Sequence, residues 1–272
     1  MIDWFIELSP AWQATLAGTF TWACTALGSS LVFLFDEVNE KLLDTMNGFA
    51  AGVMFAASYW SLLAPAIDYA EMNGYGNFSF APALIGFVVG GLFLLLIDKI
   101  VPHLHFGKEI DEAEGVTSSL SSTTLLFLAI TIHNIPEGLS VGVAFGAIAS
   151  GNDPAAIAGA VILAIGIGLQ NFPEGASLAM PIRADGSSKR HAFNLGQASA
   201  LVEIVSATLG ALLISQVTVI LPYALSFAAG AMIFVCIEEL IPKSQSHGND
   251  DLATMAFIVG FSIMMTLDVA LG

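Results

Sequence analysis

The chain has 272 residues, 56% of them hydrophobic and only 11% charged, with a mean hydropathy of +0.80, where about a quarter of an average soluble domain is charged. Its net charge of -16, from 23 acidic against 7 basic side chains, argues against nucleic acid and anionic substrates and is compatible with cations. One spanning helix needs about 20 mostly apolar residues, so this length holds eight with short connections and leaves little for a separate soluble domain.

The N-terminal stretch MIDWFIELSP carries Asp3 and Glu7 where a secretory signal carries Lys or Arg, and no small-residue cleavage site follows its first apolar run. The first helix is therefore expected to stay in place. Apolar windows broken by Pro, Gly and charge clusters predict helices near 12–35, 47–68, 82–101, 123–149, 154–182, 192–216, 222–241 and 252–271. Together these predict an all-α polytopic membrane protein with a single transmembrane domain over residues 1–272.

With eight spans the connections alternate sides, and every basic residue (Lys41, Lys99, Lys108, Arg183, Lys189, Arg190 and Lys243) falls in or beside the first, third, fifth or seventh connection. Positive charge stays cytoplasmic, which predicts that both termini face outward. The connection 102–122 is then a cytoplasmic loop, expected to be flexible. It holds His103 and His105 ahead of Glu109, Asp111, Glu112 and Glu114, either a weak metal site or solvated loop charge. Cys24 and Cys236 lie in apolar runs, as buried thiols do.

The fourth helix carries His133-Asn134-Ile135-Pro136-Glu137-Gly138 and the fifth Gln170-Asn171-Phe172-Pro173-Glu174-Gly175, the same pattern 37 residues later. Residues four apart stack on one helix face, so His133 pairs with Glu137 and Gln170 with Glu174, with Asn134 and Asn171 flanking. Each proline removes one backbone hydrogen bond, leaving the carbonyls of Ile132 and Leu169 to be satisfied inside the protein. Gly138, Gly142 and Gly146 give the fourth helix a small-residue packing face. A third acid, Glu203, is expected in the middle of the sixth helix, where an ionisable group marks a functional site with a partner to be named.

No Lys or Arg is expected within the membrane beside these three glutamates, which leaves divalent cations or protons to neutralise them. One imidazole, three carboxylates and three amide side chains suit a first-row divalent ion better than alkali or sulfur-loving metals. Interhelical hydrogen bonds that merely bind the bundle together are the structural alternative. Met54, Ser61 and Asp68 recur every seven residues on the second helix and could line an inlet, although such a stripe also serves packing. Asp98, Glu238, Glu239 and Asp268 fall near helix ends, where either solvation or a part in the metal's path accounts for them.

At these residues the sequence resembles the ZIP (Zrt/Irt-like) metal transporters, and within them a GufA-type branch with bacterial members. HNIPEG and the longer GLQNFPEGASLAMP carry the likeness, which covers essentially the whole chain. The resemblance implies a 3+2+3 arrangement of eight helices with both termini outside, a homodimer in lipid, and a plasma membrane location, the inner membrane in a bacterium. It also implies a site for two ions, bound as transported substrate and not as cofactor. One would be held by His133, Glu137, Gln170 and Glu174 with Met54 nearby, the other by Asn134, Glu137, Asn171, Glu174 and Glu203.

Family likeness further implies that the first, fourth, fifth and sixth helices move as a unit against the other four. The expected activity is import of Zn²⁺, with Ser61 and Asp68 at the entrance and Glu239, Asp98 and the loop histidines at the exit. Relatives often carry His where Gln170 stands and some carry Asp where Asn171 stands, which leaves Cd²⁺, Fe²⁺ and Mn²⁺ open beside Zn²⁺. The alternatives from other classes are an intramembrane metal-dependent hydrolase, since two bridged metals can activate water, and a metal sensor without flux. No H-E-x-x-H motif supports the hydrolase, and few residues remain for a sensor's output domain.

Overall fold

The computed structural model describes residues 3–35, 39–104, 110–148, 154–216 and 218–271. Within these residues, eight helices are long and apolar enough to cross a membrane: Pro10–Phe33, Glu40–Met72, Gly76–Ile100, Ser122–Ala147, Ala156–Ala184, Lys189–Ser215, Leu221–Ser244 and Asp250–Leu271. We call these the first to eighth spans. Among the described residues there is no strand, and one isolated antiparallel bridge joins His103 to Glu114.

The second and seventh spans run further than hydropathy suggests. The second starts at Glu40 because the Asn39 side chain accepts a hydrogen bond from the Leu42 amide at 3.0 Å, a helix cap. The polar residues Asp44 and Asn47 are buried within it. The seventh continues past Pro242 to Ser244. In each of the two, a π-helical stretch, Ser58–Leu63 or Cys236–Leu240, precedes a proline seated in the first turn of the helix that follows. Each proline has no N–H to donate to the preceding turn, and π turns add a residue to the turn and redirect the side chains around them. The sixth span breaks at Ala200, between Lys189–Ser199 and Leu201–Gln216.

The second span packs along the eighth, the third along the seventh, the fourth along the sixth, and the first along the fifth and sixth. Further contacts run between the second and fifth spans and between the seventh and fourth. These pairings exchange with one another when the first three spans are matched to the last three and the fourth to the fifth, which is a 3+2+3 arrangement. Glycines let the backbones approach: a Cβ on Gly142 would strike the Ala207 carbonyl of the sixth span, and one on Gly52 the Phe257 carbonyl of the eighth.

Hydrogen bonds between spans sort into two groups. Thr15 with Thr208, Trp22 with Gln197, Ser29 with Gly175, and Asn171 with Thr21 and Glu203 tie together the first, fifth and sixth spans. Ser61 with Asp268, Tyr75 with Tyr223, Ser226 with Pro82, and Cys236 with Ala51 tie together the second, third, seventh and eighth. Between the first and fifth spans on one side and the second and eighth on the other lies an apolar groove of about 810 Å³, lined by side chains such as Phe20, Leu27, Met46, Phe49 and Phe172. Among the described residues these bonds join the first, fifth and sixth spans to one another and the second, third, seventh and eighth to one another, with the apolar groove between the two sets.

Candidate metal centre

The proline-containing fourth and fifth helices, Ser122–Ala147 and Pro154–Ala184, carry the repeated motif into the interior. His133, Asn134, Glu137, Gln170, Asn171, Glu174 and Glu203 are each at most 3% exposed, and Met54 is fully buried. Gly138 brings the motif against the sixth span, where an added Cβ would lie about 2.5 Å from the backbone of Glu203. Glu203 sits one turn beyond the break at Ala200, whose carbonyl accepts its amide at 3.0 Å. It therefore opens the second half of the sixth span and does not stand in the middle of a continuous helix.

The three carboxylates are electrostatic neighbours, Glu137 facing Glu174 and Glu203. Asn171 Nδ2 donates to both oxygens of Glu203, at 2.9 and 2.8 Å, and to the Thr21 carbonyl at 3.2 Å. Several polar atoms around this pair are less well served. Among the described residues, both Asn134 side-chain atoms, both Glu137 oxygens, both Gln170 side-chain atoms, Asn171 Oδ1 and Glu174 Oε2 make no hydrogen bond of sound geometry. Gln170 and Glu174 approach Glu137 without forming one. Buried polar groups are ordinarily satisfied, and each left bare costs about 1–3 kcal/mol. So many on the repeated motif of two helices, around carboxylates that feel one another's charge, describe a binding site for something polar.

The donor set is oxygen-rich, with amides, carboxylates and one imidazole, and suits a divalent cation. Among the described residues, no three His, Cys, Asp or Glu side chains already surround one point at ligating distance. Amides make up much of the set, and the Glu203 carboxylate is turned onto Asn171.

Of the residues expected along a path, Ser61, Asp68 and Asp268 line one cavity of about 320 Å³, walled also by Trp60, Ala144 and Ala160. Ser61 Oγ donates to Asp268 Oδ1 at 2.6 Å. Met54 is not part of that lining, because the π turn at Ser58–Leu63 intervenes and the seven-residue spacing no longer traces a straight stripe. At the other end, Asp98 and His103 are buried, with Asp98 Oδ1 3.6 Å from His103 Nε2. The Val101 carbonyl lies 2.8 Å from His103 Nδ1, and the Glu114 bridge holds the His103 backbone. Glu238 is half-buried and Glu239 buried. His105 lies outside the described residues.

One expectation is overturned. A basic side chain does lie inside, because Lys243 is 4% exposed, its Nζ is 3.9 Å from Glu239 Oε1, and its charge acts on Glu174 as well. Pro242 suggests a helix end just before it, but the π turn carries the seventh span through that proline and draws Lys243 into the interior. The signal in the sequence was the four-residue spacing from Glu239 to Lys243, which places the two on one helix face.

Comparison with known proteins agrees with the geometry. Residues 107–268 match the family described as ZIP Zinc transporter. The chain is 43% identical to "Zinc transporter ZIP11" of Xenopus tropicalis, an alignment that covers 100% of each. It is 37% identical to "Zinc transporter GufA" of Myxococcus xanthus over 94% of this chain and 96% of that one. It is also 36% identical to "Zinc transporter ZIPB" of Bordetella bronchiseptica, over 95% and 81%. Relatives thus come from animals as well as bacteria, and their names are those of transporters, not hydrolases. With eight spans, a buried polar centre and these relatives, the chain belongs to the ZIP zinc transporter family, as a multi-pass membrane protein whose metal ions are cargo.

Proposed function

We propose that this protein carries Zn²⁺, or an ion of similar chemistry such as Cd²⁺, Fe²⁺ or Mn²⁺, from outside into the cytoplasm through a binuclear site in the middle of the membrane. Glu137 and Glu174 bridge the two ions. His133 and Gln170, with Met54 at their side, complete one set of donors, and Asn134, Asn171 and Glu203 complete the other. The observation that carries this reading is the cluster of buried polar atoms without sound hydrogen bonds on the fourth and fifth spans. Divalent cations satisfy the oxygen atoms of this cluster at once and offset the three carboxylates that share the space.

Ions arrive through the Ser61, Asp68 and Asp268 cavity and leave past Glu239, Asp98 and His103. Transport follows the logic of alternating access around a fixed site: the first, fourth, fifth and sixth spans slide as one block past the other four. Support comes from the hydrogen bonds that join the first, fifth and sixth spans, from the packing of the fourth span along the sixth, and from the apolar groove, which offers little polar resistance to sliding. Basic residues at the odd-numbered connections put both termini outside, and the protein works as a homodimer in a plasma membrane.

Uptake of Zn²⁺ into vesicles holding the purified protein, read by a trapped fluorescent indicator, tests the proposal. Glu137→Gln is expected to reduce uptake to the level of empty vesicles. Equal uptake by the variant and the wild type would refute the site.

A further inference from the structure

The buried ammonium of Lys243 stands on one block, and one of the carboxylates within reach of its charge stands on the other. Its side chain is 2% exposed, and Glu239, whose Oε1 lies 3.9 Å from its Nζ on the same seventh span, is 3% exposed. The other carboxylate, Glu174, belongs to the fifth span and to the proposed metal site. Burying an ammonium at membrane depth is costly unless carboxylates compensate it. Here two compete for it.

We propose that Lys243 is a tethered counter-ion that takes the metal's place beside Glu174 on the cytoplasmic flank of the site. This rests on the metal-site reading above. A divalent ion carries twice the charge of the ammonium and ligates directly, so an arriving ion displaces Lys243 toward Glu239. When the ion leaves for the cytoplasm, the ammonium swings back to Glu174, opposes rebinding and neutralises the emptied site so that the block can return. A purely structural ion pair would only hold Glu239 in place, and its loss would lower stability without strengthening metal binding.

Lys243→Met keeps the length of the side chain and removes its charge, and Lys243→Arg keeps the charge. Zn²⁺ binding to the purified full-length chain by titration calorimetry and Zn²⁺ uptake by vesicles are measured for both, with Glu137→Gln alongside. Lys243→Met is expected to lower Kd about ten-fold, equivalent to about 1.4 kcal/mol, and to lower KM and kcat together, because the metal binds more tightly and leaves more slowly. Lys243→Arg is expected to stay close to wild type. A folded Lys243→Met with Kd, KM and kcat unchanged, or with weaker binding, overturns the counter-ion.

If Lys243→Met does not fold, Glu239→Gln is compared with Glu239→Gln combined with Lys243→Gln, which leaves no unpaired charge on the seventh span. Tighter binding in the double variant supports the proposal, and equal or weaker binding overturns it. The two readings fail separately. Wild-type binding by Glu137→Gln refutes the metal site, whereas lost binding there beside an unchanged Lys243→Met refutes Lys243 alone.

Discussion

Asn171→Asp tests the centre most directly because metal should reverse the sign of its effect. In the metal-free protein the Asn171 amide donates to both oxygens of Glu203 and to the Thr21 carbonyl. An aspartate loses those donors and faces Glu203 with like charge. Hydrogen bonds to a charged group are worth about 1.5–3 kcal/mol, and two unit charges ~4 Å apart repel by about 4 kcal/mol at an effective dielectric constant near 20. Protonation of the new carboxyl relieves part of this, which leaves a loss of about 3–5 kcal/mol. At about 2–4 °C per kcal/mol for a chain of this size, the melting temperature in a chelator should fall by roughly 6–20 °C. With Zn²⁺ the added carboxylate becomes a ligand, so the metal-induced rise in melting temperature should be larger in the variant than in the wild type. Scanning fluorimetry in detergent, with chelator and then with graded Zn²⁺, reads both. Equal melting in chelator, or an equal Zn²⁺ shift, would refute the assignment of Asn171 to both partners.

Further outcomes follow from other contacts. Gly142→Val would drive its side chain into the Ala207 carbonyl and, at about 1–3 kcal/mol for overpacking, lower the melting temperature with or without metal, in contrast to Asn171→Asp. Asp268→Asn removes the charge at the inlet while leaving a side-chain oxygen to accept from Ser61, so KM for Zn²⁺ uptake should rise several-fold at constant kcat. Asp44, fully buried, lies 2.8 Å from His247 Nδ1 and accepts from Asn249 Nδ2 at 2.8 Å. Asp44→Ala should cost about 1–3 kcal/mol, the penalty for donors left without a partner, and thermal melting checks it.

Eight spans and the repeated motif were legible because both rest on local pattern: apolar runs of membrane length, and prolines and glutamates at matching offsets in two helices. The packing role of Gly138, Gly142 and Gly146 was legible for the same reason. What escaped is non-local or breaks helix period. Pro65 and Pro242 look like helix ends, yet each opens a new turn after a π stretch, and propensity does not foretell π turns. Lys243 therefore looked like a solvated residue beyond a span. The break at Ala200 has no proline or glycine to announce it, so Glu203 looked central in a continuous helix when it stands at the start of a new one. His103 looked like loop; Asp98 and Glu114 hold it in a buried position that only the tertiary fold creates.

The division into two blocks gives the proposed ligands unequal parts. His133, Asn134, Glu137, Gln170, Asn171, Glu174 and Glu203 all stand on the fourth, fifth and sixth spans, so in the proposed sliding motion they travel with the ion, whereas Met54 stands on the second span, in the other block. A ligand left behind can touch the ion in only one position of the sliding block. It affects loading and cannot affect what the ion feels after the slide. Thioether sulfur is also a weak donor beside carboxylates for a hard or borderline cation. Met54→Ala should therefore raise KM for Zn²⁺ by a few-fold and leave kcat nearly unchanged, while Glu174→Gln, on the carried block, should abolish turnover. Met54→Ala should also shift the balance between Cd²⁺ and Zn²⁺ toward Zn²⁺, because the softer ion loses more with the sulfur. Competition uptake with the two ions supplied together measures that ratio. A fall in kcat as large as the rise in KM would mean that Met54 stays with the ion throughout, and that the second span belongs to the moving part.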